Sequence, residues 1–280
     1  MSTTLPSSSL APRATPTHAR VRTVSALRSE WTKIRTVRST TWTLVALTVI
    51  ILGVAAIAGS AVSHSWRTMT TMERLSFDPT QLSLRGMLFG QLVIGVLGVL
   101  VMSAEYSTGS IRSTLMAVPT RTKVLLTKAA VMAALGLVVS EVLSFGAFFL
   151  GQALLVSPAP HATLSQPGVL RAVVGGGLVL SVLGLLALGL ASIIRHSAGA
   201  ITTYVGVLLV LPIVVQALPS SISQPVLKYL PFHISDTMTS VTHALGSGPS
   251  FSPWVGFAIL CGYAALALAV GGWLLVRRDA

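Results

Sequence analysis

The stretch AVVGGGLVLSVLGLLALGLASII at residues 172–194 determines the fold class, together with AGAITTYVGVLLVLPIVVQAL at residues 198–218. Neither run contains a charged side chain, and each has the length of about 20 residues that a helix needs to cross a bilayer. Only Arg195, His196 and Ser197 separate the two runs. This spacing predicts a tight helical hairpin whose basic tip lies at a membrane surface.

Four further apolar segments of similar length occur at residues 42–62, 86–104, 129–156 and 254–276. They lack the alternation of barrel strands, so the sequence predicts an all-α membrane protein with a bundle of six transmembrane helices. Segment 129–156 is longer than one span requires, and we expect it to tilt or to project from the bilayer. Residues 24–280 are thus predicted to form one membrane domain. The Ser-, Thr- and Pro-rich residues 1–23 are predicted to be a disordered cytoplasmic tail.

The composition supports a membrane protein over a nucleic-acid-binding protein. Only 9% of the residues are charged and the mean hydropathy is +0.81, whereas soluble domains carry about 25% charged residues. The net charge of +12 comes from basic residues that lie between the apolar segments. We therefore attribute this charge to membrane topology and expect no nucleic-acid partner.

The distribution of Lys and Arg predicts the orientation. With the N-terminus inside, 14 basic residues fall on the inner side and 5 on the outer side. Basic residues accumulate in cytoplasmic segments. The sequence therefore predicts a protein of the cytoplasmic membrane with both termini in the cytoplasm.

The segment before the first span has the pattern of an amphipathic interfacial helix, over residues 24–40. Val24, Leu27, Trp31 and Ile34 share one helical face, with basic residues beside them. The alternative is a basic flank that only sets topology.

Two other connections are long enough to hold structure. In the inner loop 103–128, Thr108 or Ser110 can cap a short helix that Pro119 ends. An ordinary connecting loop is the alternative. In the outer connection 219–253, the apolar piece 226–234 is too short to span, so we expect it to lie on the outer surface or to re-enter between helices.

The predicted spans contain few of the polar residues that an enzyme needs. Glu141 is the only charged residue deep within a predicted span, and Gln152 is a second polar candidate near the end of the same segment. An acid at this depth indicates either a functional site or a hydrogen bond to a neighbouring helix. We identify no catalytic residues and no metal site, and a lone cysteine, Cys261, excludes an internal disulfide. No Gly-Lys dipeptide occurs, so the sequence lacks the Walker A motif for ATP.

Four segments carry a resemblance to a known family. They are EYSTGSIRSTL at residues 105–115 with Val118-Pro119 and Lys128-Ala129 following, LRSEWTKIRTVRST at 27–40, FFLGQ at 148–152 and KYLPF at 228–232. The sequence resembles actinobacterial permeases of ATP-binding-cassette (ABC) transporters, of the type-2 export family. The resemblance extends from about residue 25 to the end, and the 105–115 cluster is its most specific part.

The resemblance implies a six-helix permease that forms the substrate pathway and pairs with a second permease copy or a paralogue. It implies two separate ATPase subunits that use ATP, so this chain binds no cofactor itself. It also implies that residues 107–118 form a coupling helix, with Glu105, Tyr106, Gly109 and Arg112 as the coupling residues. A second ATPase contact is implied on the N-terminal helix, at Glu30, Trp31, Lys33 and Arg35. Membrane lipids are the remaining expected partners.

Two other functions remain open at this point. A regulatory or immunity subunit would bind a partner without transporting anything. A membrane enzyme or a secondary carrier would need more polar residues within the spans than Glu141.

Overall fold

A computed structural model describes residues 23–107, 121–242 and 250–277. The longer helices are α1 (Thr23–Thr36), α2 (Arg38–Ser65), α5 (Gly86–Ser107), α6 (Arg121–Leu154), α7 (Val169–Ile194), α8 (Ser197–Gln216) and α11 (Pro253–Arg277). Four short helices connect them at the end of the bundle opposite α1: α3 (Thr71–Leu75), α4 (Pro79–Ser83), α9 (Ser220–Leu227) and α10 (Pro231–Thr239). No strand occurs in these three ranges.

Six of these helices are long and apolar enough to cross a membrane, which confirms the predicted number of spans. They are α2, α5, α6, α7, α8 and α11. Most extend beyond the predicted apolar segments, because a helix continues into polar flanks wherever its backbone hydrogen bonds allow. The largest difference is in α6, which begins eight residues before the predicted residue 129. The extra turns carry Lys123 and Lys128, and they make α6, with 34 residues, longer than the predicted segment.

Helices α5 and α7 form the centre of the bundle. Of their most apolar windows, 61% and 67% are buried, compared with 28–33% in the other four spans. Glycines allow this packing, because Gly98 of α5 faces the backbone carbonyl of Gly184 on α7 with no space for a side chain. The four peripheral spans expose apolar faces that lipid or another protein must cover.

The hairpin between α7 and α8 is as tight as predicted. Arg195 ends α7 in the left-handed conformation, with a φ of 60°, and His196 caps α8 by accepting a hydrogen bond from the backbone of Gly199. Helix α8 contains a π-helical turn at Gly206–Val210 just before the buried Pro212. Proline has no N–H for the helical ladder, and a π turn is one way to absorb that loss.

The two ends of the bundle differ in character. One end holds α1, Arg195 and Arg277, and Arg195 donates a hydrogen bond to the carbonyl of Leu274 on α11. We call this the basic end. At the opposite end, which we call the outer end after the predicted orientation, α4 and α10 lie over the bundle, and α10 packs on α7 and α11. The apolar piece predicted at residues 226–234 thus contributes to α9 and α10, which pack over this end.

Trp side chains mark both surfaces of the expected bilayer. Trp31, Trp42 and Trp273 lie toward the basic end and are exposed, and the guanidinium of Arg277 stacks over the ring of Trp273 at 4.5 Å. Trp254, at the first turn of α11, is exposed toward the other end. Such aromatic belts are typical of membrane–water interfaces.

Candidate functional site

A buried ion pair joins α1 to the spanning helix α6. The Lys128 ammonium lies 2.6 Å from one carboxylate oxygen of Glu30, and Lys33 lies 2.8 Å from the other. Lys128 is 2% exposed and Glu30 is 5% exposed. A buried charge of this kind is tolerated only when it is paired, because its removal from water costs several kcal/mol. The pair therefore fixes both the position and the rotation of α1 on α6.

The rotation of α1 separates the four residues predicted to contact the ATPase. Glu30 faces α6 and is buried, whereas Trp31 and Arg35 are exposed, and Lys33 is about half exposed. Trp31 and Arg35 are one helical turn apart and so share a face. Helix α1 ends at Thr36, and after Val37 the chain continues directly into α2 rather than ending at the predicted residue 40.

The predicted coupling residues lie at the edge of the described chain. Glu105 and Tyr106 belong to the last turn of α5, at the basic end. Gly109, Arg112 and the predicted coupling helix at 107–118 lie outside the described residues, except for Ser107, the last residue of α5. The loop that contains them starts after α5 and ends at α6, less than two turns before Lys128.

Glu141 lies between α6 and α7, near the middle of the bilayer. Both carboxyl oxygens are inaccessible, and no hydrogen-bond partner for them is found among the described residues. A methyl group on Gly177 of α7 would come within 2.6 Å of the carboxyl carbon, so this glycine provides the space for the acid. Two interpretations of Glu141 follow from its position in the sequence, and among the described residues the hydrogen bond to a neighbouring helix is absent.

Gln152 occupies the other end of α6. Its amide nitrogen donates to the carbonyl of Pro79 and to the hydroxyl of Ser83, and its amide oxygen accepts from the backbone N–H of Ala162. Pro79 and Ser83 belong to α4. The side chain therefore binds α6 to the short helix at the outer end, and the predicted intramembrane polar residue is a structural connector.

Asp78 is a connector that the sequence analysis missed. One carboxylate oxygen caps α4 by accepting from the backbone N–H groups of Thr80 and Gln81. The other accepts from the backbone N–H groups of Val241 and Thr242 and from the Thr242 hydroxyl. Asp followed by Pro is a recognisable helix start, but the second set of bonds spans 163 residues of sequence. We call this set of contacts the outer clasp.

Two ionisable groups near the outer clasp have shifted pKa values. Hydrogen bonds from the backbone N–H and then from the hydroxyl of Thr70 lower the pKa of Glu73, in a capping box at the start of α3. Burial lowers the pKa of His233 on α10, and the nearby Asp236 opposes that effect. A neutral His233 is thus favoured near neutral pH.

No group of three or more His, Cys, Asp or Glu residues that could hold a metal occurs in residues 23–107, 121–242 and 250–277. The structure instead contains a membrane bundle with two polar connections. At the basic end the Glu30–Lys128 pair binds α1 to α6, and at the outer end Gln152 and Asp78 bind α6, α4 and the segment after α10.

The sequence of this bundle matches a known protein family. The family model described as ABC-2 family transporter protein matches residues 26–213, which is well over half of the chain and includes four of the six spans and most of the fifth. The chain belongs to the ABC-2 transporter family. It is a permease subunit of an ABC transporter, as the resemblance implied. No curated protein matches the sequence.

Membership of this family makes the permease a multi-pass membrane protein and a transport subunit that works with an ABC ATPase. The match begins at residue 26, within α1, so the helix bound by Glu30 and Lys128 is part of the family pattern. Helices α9, α10 and α11 follow the matched segment.

Proposed function

We propose that the permease lies in the cytoplasmic membrane with its basic end in the cytoplasm, and that α1 and the loop 107–118 receive the movement of a separate ATPase subunit. The buried Glu30–Lys128 pair is the observation that carries this proposal. It binds α1 to α6 within two turns of the point where the loop joins α6. Both elements expected to touch the ATPase are therefore attached to the same spanning helix.

The charge distribution supports this orientation. The basic end carries α1, Arg195 and Arg277, together with Lys123 and Lys128 at the start of α6. A basic surface of this kind is retained in the cytoplasm. Because the number of spans is even, both termini lie in the cytoplasm in the proposed orientation.

Helix α6 can transmit movement across the membrane. Lys128 and Gln152 are 24 positions apart on one continuous helix, which corresponds to about 36 Å. A push on α1 at the basic end therefore reaches α4 through Gln152 and the outer clasp through Asp78. A link between distant sites of this kind requires a connected physical network, and hydrogen bonds and one ion pair provide it here.

Transport then follows from alternation between two states. ATP binding closes the ATPase subunits, α6 tilts with α1 and the loop, and contact with α4 changes at the outer end. Two permease copies form the pathway, and the exposed apolar faces of the peripheral spans provide surfaces for their contact. ATP shifts the equilibrium only to the extent that the ATPase binds the two states differently. We infer export as the direction.

Charge reversal and proline substitution in the loop test the coupling. Arg112→Glu and Gly109→Pro are expected to reduce the permease-dependent part of ATP hydrolysis by about fivefold or more, which is the lower range of allosteric coupling. Proline removes the flexibility and the N–H of Gly109, and glutamate reverses a charge at the proposed contact. The measurement compares the ATP turnover of the purified complex in lipid discs with that of the ATPase alone.

Arg85→Glu is the matched control, because Arg85 is exposed at the outer end. This variant should leave ATP turnover unchanged and confirm that the effect is specific to the loop. Wild-type turnover in both loop variants would contradict the proposed contact. A complex that assembles but whose turnover is independent of the permease would favour a regulatory subunit.

A further inference from the structure

A groove of about 450 Å³ lies between α1, α2 and α6 at the basic end. One wall is a stripe on α2 with helical spacing, formed by Thr41, Leu44, Val45, Thr48 and Val49, and Leu135 of α6 forms the other wall. Trp31 and Arg35 of α1 close the end nearest the membrane surface. The α2 stripe covers eight residue steps, so the groove is about 12 Å long.

The groove opens sideways into the bilayer. Val45 is 45% exposed and Val49 is 63% exposed, and both lie within a spanning helix. Water does not fill an apolar groove at this depth, and its carbon surfaces need an apolar occupant to regain dispersion contacts. The walls therefore select a hydrocarbon chain.

The closed end of the groove is cationic. No carboxylate lines the groove, and in the described part of the chain none lies within ion-pair distance of Arg35. The nearest acid on α1, Glu30, is turned inward to Lys128. The Glu30 carboxylate is thus neutralised by its lysine partners, and the same ion pair holds α1 in the rotation that places Arg35 and Trp31 at the groove. A guanidinium can donate two parallel hydrogen bonds to a phosphate, and the indole N–H can donate one more.

We propose that this groove binds one anionic phospholipid of the membrane leaflet at the basic end, with an acyl chain along α2 and its phosphate at Arg35. Hydrocarbon walls that end at an exposed arginine and tryptophan match the two parts of such a lipid. The bound lipid would fill the space between α1 and α2 and so hold α1 in its docked position.

A second groove provides a comparison for headgroup selection. It lies between α6 and α11, has a similar volume of about 440 Å³, and contains Trp273. Its nearby arginine, Arg277, stacks on that tryptophan ring at 4.5 Å. A guanidinium engaged in this way is less available to a phosphate. We therefore expect stronger headgroup selection at Arg35.

Photolabelling tests the proposal. The full-length permease is placed in lipid discs that contain a photoactivatable phosphatidylglycerol or a phosphatidylcholine with the same acyl chains, and the labelled peptides are quantified. In wild type, phosphatidylglycerol should label the α2 stripe about fivefold more than phosphatidylcholine, since one arginine near the membrane contributes about 1 kcal/mol toward an anionic lipid.

Two variants separate the headgroup from the acyl chain. Arg35→Gln should remove the preference for phosphatidylglycerol but keep the labelling of α2, and Val45→Trp should fill the groove and reduce labelling by both lipids. Lys123→Gln is the matched control, an exposed cation at the same end that does not line the groove, and it should behave as wild type. Equal labelling by the two lipids in wild type, or unchanged preference in Arg35→Gln, would overturn the proposal.

Discussion

Replacement of Lys128 by Met is expected to release α1 from α6. The substitution removes one member of a buried ion pair and leaves the Glu30 carboxylate with a single bond to the more exposed Lys33. Removal of one partner from a buried pair typically costs about 3–5 kcal/mol. Local opening of α1 should become more frequent by about 100-fold or more, because each 1.4 kcal/mol changes an equilibrium constant tenfold.

Hydrogen exchange of the α1 amides measures this opening. Exchange in α1 should accelerate while exchange in α7 at the centre stays slow, since the loss is local. Two controls define the cause. Lys123→Met removes an exposed cation from the same helix and should have no effect. The double variant Glu30→Leu with Lys128→Met should regain much of the protection, because an apolar pair of similar volume can replace a buried ion pair. Slow exchange in the single Lys128→Met variant would show that the pair does not hold α1.

Replacement of Gly98 by Val should disrupt the centre of the bundle. Any side chain at this position on α5 collides with the backbone carbonyl of Gly184 on α7, which no rotamer change can relieve. Overpacking typically costs about 1–3 kcal/mol and more where the backbone must move. These two helices are the most buried spans, so their separation affects every other helix.

The expected result is loss of monodisperse protein in detergent and a clearly lower unfolding temperature. Gly262→Val provides the matched control. Gly262 lies on the spanning helix α11 with no atom within 4 Å of an added methyl group, so the larger residue meets only open space. If both variants elute and unfold alike, close contact between α5 and α7 is not what holds the bundle together.

The sequence predicted the spans well because lipid imposes one requirement on all of them. A run of about 20 uncharged apolar residues identifies a span directly in the sequence. The three residues between 194 and 198 leave space only for a turn. Helix ends were less predictable, since Arg121–Lys128 is polar but still helical. Apolar runs identify the part of a helix in hydrocarbon, not its full length.

The connections between elements could be predicted only in part. The N-cap at Asp78 and the capping box at Thr70 and Glu73 are visible as local patterns. In contrast, Glu30 and Lys128 are 98 positions apart, and nothing in the local sequence indicates that they meet. The periodicity of α1 placed Trp31 on an apolar face, but only tertiary packing shows that Glu30 is buried beside it.

The surroundings of Glu141 could not be predicted from the residue type and its position alone. Its depth indicated a functional site or a cross-helix hydrogen bond. The structure places both oxygens against Gly177 and finds no partner for them in the described chain.

Purification of the tagged permease from its native membranes, with identification of the proteins that accompany it, tests directly whether the permease works with a separate ATPase. We expect a stoichiometric partner that contains a Walker A lysine, and we expect Glu30→Gln or deletion of α1 to weaken its retention. Repeated purification of intact permease without any ATPase, from membranes that contain one, would contradict a coupled transporter.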